Sequence, residues 1–114
     1  EDIIAAPMVS VSELPWRMML REKFNVNICF SPMINSKVFS KLKKFGDFFQ
    51  TCKEDRPLIV QFCGNDPNEM LESAKKVEQY CDGVDLNLGC PQNIAKSGRY
   101  GAFLQNEWEI IERI

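Results

Sequence analysis

The sequence predicts an α/β fold built on a parallel sheet, and three observations carry that prediction. Short apolar runs alternate with helical patterns four times, in the order βαβαβαβα. The runs stop at Pro or Gly, as strands buried on both faces do. No G-x-G-x-x-G follows any of the four runs, so a doubly wound sheet would lack its dinucleotide fingerprint. Strands alternating with helices imply right-handed crossovers in one sheet. Four βα units in 114 residues make half of a TIM (β/α)8 barrel, whose usual size is about 250 residues. Residues 1–114 are therefore expected to be the first four units of such a barrel.

Each element has its own signal. Ile3-Ile4-Ala5-Ala6 is a continuous apolar run that stops at Pro7. Ser12 offers an N-cap, and Trp16, Leu20 and Phe24 fall four apart on one helical face. Val26 to Phe30 is the second strand, ended by Ser31-Pro32. From Ser36 to about Cys52, Val38, Leu42, Phe45, Phe48 and Phe49 lie near helical spacing, but Gly46 interrupts the pattern. The exposed face of that segment would carry Lys41, Lys43 and Lys44. Leu58 to Cys63, between Pro57 and Gly64-Asn65, is the third strand. Asp66-Pro67-Asn68-Glu69 opens the next helix with an acidic cap, Pro at the first helical position and Glu three residues after the cap. Met70, Ala74 and Val77 are its buried stripe. Gly83 to Leu88 is the fourth strand, and Asn106 to Glu109 repeats the cap-plus-three pattern before a final helix through Ile114. Trp16 and Trp108 are expected in the helix–sheet core.

Composition narrows the chemistry. The chain holds 14 Lys+Arg against 16 Asp+Glu, a near-neutral balance that gives this segment little charge for gripping nucleic acid unaided. It has no histidine, which excludes Ser-His-Asp and Cys-His couples and any zinc site with a His ligand; no metal is expected. Five cysteines without a C-x-x-C pair read as reduced thiols in an intracellular protein, cytoplasmic or nuclear. Cys29 and Cys63 lie inside strands and fit the core. Nothing at the start reads as a signal peptide, and no apolar run approaches the roughly 20 residues of a membrane span.

In parallel α/β folds the site lies at the carboxyl ends of the strands. Those ends supply Pro7-Met8-Val9, Pro32-Met33, Gln61 with Cys63, and Asn87-Leu88-Gly89-Cys90-Pro91. The set has no phosphate cradle, carboxylate pair or lysine. Its thioethers suit a flat heteroaromatic ring, and its amides both donate to and accept from ring edges. Asn87 can be read as a cap on its own loop or as a ligand-binding amide, because a buried unpaired amide costs about 1–3 kcal/mol. Cys90, between Gly89 and Pro91, is poorly placed as a core hydrophobe. It could be a nucleophile or a proton donor, and the absence of a neighbouring base favours the donor. Lys96 and Arg99 lie farther along the same loop, where contact with phosphate is as plausible as simple solvation.

These residues together resemble a family. Ala6-Pro7-Met8, Arg56 to Phe62, Val84-Asp85-Leu86-Asn87-Leu88-Gly89-Cys90-Pro91-Gln92 and Tyr100-Gly101-Ala102-Phe103-Leu104 are similar in order and spacing to the tRNA-dihydrouridine synthases. The wording around Gln92 and Tyr100 to Leu104 is most similar to the eukaryotic subgroup acting on the D-loop of tRNA. The resemblance implies an FMN-binding TIM barrel followed by a small helical domain that binds tRNA. It implies flavin hydride transfer to C6 of a uridine, protonation at C5 by a loop cysteine, and NADPH as reductant. Carried over by position, Pro7, Met8 and Val9 would line the flavin ring, Gln61 would bond its edge, Asn87 would hold the uracil and Cys90 would be the general acid. The lack of a protein base fits chemistry that belongs to a cofactor. A flavin barrel reducing a free pyrimidine, of the dihydroorotate or dihydropyrimidine dehydrogenase kind, is the alternative enzyme; those tend to carry Ser where Gly89 stands. A non-catalytic RNA-binding fragment is the alternative from another class.

Overall fold

Leu58–Cys63 is the longest strand, and the sheet forms around it. The computed structural model describes residues 2–114. Its strands are β1 (Ile4–Ala5), β2 (Ile28–Phe30), β3 (Ile34–Asn35), β4 (Leu58–Cys63) and β5 (Gly83–Leu86). All pairings are parallel: β1 with β2, β4 with both β2 and β3, and β4 with β5. Because β2 lies along the start of β4 and β3 along its end, they are two pieces of one barrel strand. The order is then that of the first four strands of a (β/α)8 barrel.

The break between β2 and β3 has a local cause. Phe30 pairs with Ile59 and Ile34 with Phe62, so Ser31, Pro32 and Met33 face only Val60 and Gln61. That extra residue is a β-bulge. Pro32 brings no N–H to the ladder, and the Ser31 hydroxyl accepts the Gln61 N–H at 3.0 Å where a backbone carbonyl would have served.

Alternation along β4 sorts its side chains onto two faces. Leu58, Val60 and Phe62 enter the helix-side core with Phe39, Met70 and Val77. Ile59, Gln61 and Cys63 take the opposite, concave face. The helices are α1 (Leu14–Phe24), α2 (Ser36–Phe39), α3 (Pro67–Val77), α4 (Asn93–Gly98) and α5 (Trp108–Arg113). The Asp66 cap is present, its side chain accepting from the N–H groups of Asn68 and Glu69 at 2.8 and 3.1 Å.

Other sequence expectations are corrected. Ser12 does not cap α1: its hydroxyl accepts the Met8 N–H at 2.8 Å and so closes the preceding turn, leaving Glu13 at the cap position. The pattern from Ser36 to Cys52 yields only the one turn of α2 and a 3-10 turn at Gly46–Phe48. Lys76 of α3 ends α2 by donating to the carbonyls of Phe39, Ser40 and Leu42 at 3.1, 2.5 and 2.6 Å. Lys41, Lys43 and Lys44 are exposed as expected, though outside any helix. The fourth strand ends at Leu86 rather than Leu88, since Asn87 bonds into the loop. The last helix starts at Trp108 after Glu107, without an Asn106 cap. Trp108 is 75% exposed and is no core residue, while Trp16 is half-buried.

A buried ion cluster joins α1 to the loops at the foot of the sheet. Asp55 accepts from Arg17 Nη2 at 2.7 Å, Arg21 Nε at 3.4 Å and the Thr51 hydroxyl at 3.0 Å. Arg17 also donates to the carbonyls of Ser12 and Gln50 at 2.6 and 2.7 Å. Removing one partner strands the other as an uncompensated buried charge. Replacing Asp55 with Ala is expected to destabilise the fold by about 3–5 kcal/mol in denaturant titrations. A loss below about 1 kcal/mol would mean the cluster is solvated like a surface pair.

Candidate active site

The concave face carries a chain of polar side chains at the carboxyl ends of β4 and β5. Gln61 and Asp85 are direct ladder partners, and Gln61 Nε2 donates to Asp85 Oδ2 at 2.6 Å. Asn87, two residues farther on the same face, donates from Nδ2 to Gln61 Oε1 at 3.0 Å. Its Oδ1 accepts the N–H groups of Gly89 and Cys90 at 3.1 and 2.9 Å. Asn87 thus caps its own loop, and among the described residues one of its N–H groups has no partner.

Polarity along this chain is unambiguous. A carboxylate at one end only accepts, and backbone N–H groups at the other only donate. Gln61 is left with one donor and one acceptor, which match the adjacent C=O and N–H of a ring lactam. Asn87 has spent both acceptor sites and keeps a donor alone, so a ring atom that meets it must accept, as a carbonyl does.

Cys90 is held from both sides. Its N–H goes to Asn87 as above, and its carbonyl accepts the Ala102 N–H at 3.0 Å. Gly101 permits that approach: its φ is +62°, and a Cβ there would lie 2.6 Å from the Cys90 carbonyl oxygen. The Cys90 side chain is half-buried against a small cluster of Cys63, Ala95 and Tyr100, joined by Met33. Burial pushes the Cys63 thiol up to about 12; neighbouring Cys90 adds to the rise, and a hydrogen bond with Tyr100 opposes it. The Tyr100 phenol is also raised, first by burial and then by Cys63 and Cys90, against a hydrogen bond with Asn35. A groove of about 400 Å³ runs beside this cluster, with Val9, Phe48, Ile94 and Gln92 along it and no Lys or Arg.

The remaining sequence-predicted residues are more dispersed. Pro7 is half-buried, and Met8 and Val9 are exposed apolar side chains just past β1. Lys96 is exposed on α4, where the sequence predicts a loop. Arg99 ends that helix at φ +54° and points its guanidinium toward Glu107, 3.7 Å away. Neither shares a hydrogen bond with the Asp85–Gln61–Asn87 chain. Sequence reasoning passed over Asp85, although its i, i+2 spacing to Asn87 marks the same strand face. It also passed over Gly101 and Tyr100 as parts of the site. Among the described residues no cluster of three or more Cys, Asp or Glu is arranged to hold a metal ion, and no helix is long and apolar enough to cross a membrane.

The family model of dihydrouridine synthases (Dus) matches residues 3–114. The chain belongs to the dihydrouridine synthase family. It is 52% identical to a Schizosaccharomyces pombe protein named tRNA-dihydrouridine(16/17) synthase [NAD(P)(+)], covering 97% of this chain and 28% of that protein. It is 49% identical to a Rattus norvegicus protein of the corresponding "-like" name, with 97% and 26% covered. A Homo sapiens tRNA-dihydrouridine(20a/20b) synthase-like protein is 41% identical over 96% of this chain and 34% of its own length. The chain therefore spans about a quarter to a third of the Dus relatives it matches. The family's barrel accounts for the order of the parallel sheet.

The thiols of this Dus chain should separate by reactivity. Cys63 stays protonated until the pH approaches about 12, so near pH 8 its thiolate fraction is roughly one in ten thousand. Iodoacetamide followed by peptide mass mapping is expected to label Cys90 and Cys52 and to spare Cys63. The same shift adds stability that is fully present below the unfolded thiol's value of 9.0 and fades as pH rises from there through about 12.

Proposed function

We propose that this segment is the amino-terminal half of the catalytic barrel of an enzyme that reduces uridine in tRNA to 5,6-dihydrouridine, with Cys90 as proton donor. The observation that supports it most is the fixed polarity of the Gln61–Asn87 pair beside the Cys90 loop. Asn87 offers a carbonyl only a donor, which suits uracil and disfavours the amino edge of cytosine. Gln61 keeps the donor and acceptor that a flavin lactam edge needs, and Met8 and Val9 present apolar surface for a ring. These residues fit FMN, with Pro7, Met8 and Val9 along the ring and Gln61 on its edge. When bound and reduced by NADPH, the flavin supplies a hydride to C6 of the base.

The chain's own residues do the rest. The free Asn87 N–H orients the uracil through a carbonyl, and a donor on the carbonyl conjugated with C5–C6 stabilises negative charge that develops there. Cys90 gives its thiol proton to C5, and the resulting thiolate is reprotonated from solvent. A base in a folded tRNA must leave its stack to reach such a site. Lys96 and Arg99 stand exposed where they can meet phosphate. The D-loop is the target that the family resemblance implies, and the 16/17 in the names of two relatives supports that reading. The remaining barrel units would cover Leu71 and Val84, apolar side chains 53% and 50% exposed along the cleft between α3 and β5. A helical domain would follow the barrel and supply much of the tRNA-binding surface.

Purified full-length protein is expected to show flavin absorbance and to form dihydrouridine in tRNA with NADPH, with free uracil a poor competitor. Cys90→Ala should keep the flavin absorbance and lower turnover by roughly a hundredfold or more. Full activity in that variant would remove Cys90 from the chemistry.

A further inference from the structure

Asp85 has no part in the proton and hydride transfers proposed above. It sits on the concave face, half-buried, opposite Gln61. Among the described residues it takes part in no ion pair. Among the described residues its side chain makes one hydrogen bond, the 2.6 Å contact from Gln61 Nε2. A carboxylate partly withdrawn from water without a cation carries a desolvation cost, so this residue is a poor choice for stability alone.

Its position sets it below the base that Asn87 would hold. Two residues earlier on the strand, Asp85 lies about 7 Å deeper along β5. What it can do is fix Gln61. That amide is only 6% exposed, so a Gln61 N–H deprived of Asp85 would be buried and unpaired. Turning the amide over would set Gln61 Nε2 against Asn87 Nδ2, donor facing donor. Asn87 would be pushed from its place, and with it the Oδ1 that holds the Gly89 and Cys90 N–H groups.

We propose that Asp85 is a positioning residue that acts through Gln61 and Asn87 to hold the Cys90 loop, a role that rests on the reading of Cys90 as proton donor. The carboxylate anchors one end of an amide relay whose other end is the Cys90 backbone. Asn at this position keeps an acceptor for Gln61, whereas Leu and Ala remove it.

The test compares Asp85→Asn, Asp85→Leu and Asp85→Ala in the full-length, flavin-loaded protein. Turnover on tRNA should stay within about threefold of wild type in Asp85→Asn and fall about tenfold or more in Asp85→Leu and Asp85→Ala, since a charge-assisted hydrogen bond is lost outright. KM for tRNA should move by less than about threefold. Melting temperature should not follow the same order, because Leu also removes a carboxylate that has no cation beside it and adds apolar contact. A second readout needs no turnover: the rate of Cys90 alkylation by iodoacetamide, read by mass spectrometry, should change several-fold in Asp85→Leu and little in Asp85→Asn. An unchanged Cys90 alkylation rate in both apolar variants overturns the proposal. So does a turnover loss that simply tracks the melting temperature across all three. If Cys90→Ala keeps full turnover, the functional reading is what has failed, and the alkylation rates still decide whether Asp85 holds the loop.

Discussion

The buried carboxylate of Asp55 is the constraint on which the site-bearing end of the first βα unit depends. It gathers Arg17 and Arg21 from one helix and Thr51 from a distant loop, and Arg17 passes the connection on to the Ser12 carbonyl. Ser12 in turn holds the Met8 N–H. A charge cluster below the sheet thereby sets the turn that presents Met8 and Val9 above it. Arg21 extends the same device to the carbonyls of Asn27 and Pro57, which flank the starts of β2 and β4. Two arginines on one aspartate leave neither sign alone in the interior, the condition a buried ion needs to be tolerated.

A second polar system lies on the other face, and it obeys a different logic. The Asp85–Gln61–Asn87 relay is built from groups whose partners leave no choice of orientation. The two-residue repeat of β5, carried one residue past its end, puts Asp85 and Asn87 on one face. The Cys90 loop is then tied down by Asn87 on one side and by the close approach of Gly101 on the other. The order of this end of the sheet therefore rests on amide and backbone geometry more than on ion pairs.

Much of this was legible in the sequence. Apolar runs closed by Pro or Gly marked β4 and β5, and Asp66-Pro67 marked the start of α3, because those signals are local. The Pro7–Val9, Gln61, Asn87 and Cys90 positions followed from reading strand ends. What escaped depended on contacts distant in sequence. The end of α2 is set by Lys76, thirty-odd residues away, and no local rule could announce it. No local pattern marks the Arg17–Asp55 pair, because its two members lie 38 residues apart in the chain. Trp108 misled because a large aromatic beside a helical pattern reads as core, yet α5 keeps it 75% exposed.

The bulge at Ser31–Met33 carries one more implication. Before it, Phe30 shares the concave face with Ile59; after it, Ile34 stands with Phe62 on the helix side. A strand without the extra residue would keep its even positions on one face throughout. Here the parity rule reverses within four residues, which turns Ile34 into the core and Asn35 toward Tyr100. Tolerance to polar substitution should therefore invert across Pro32, and any alignment that slips one position there would exchange the inside of this strand for its outside.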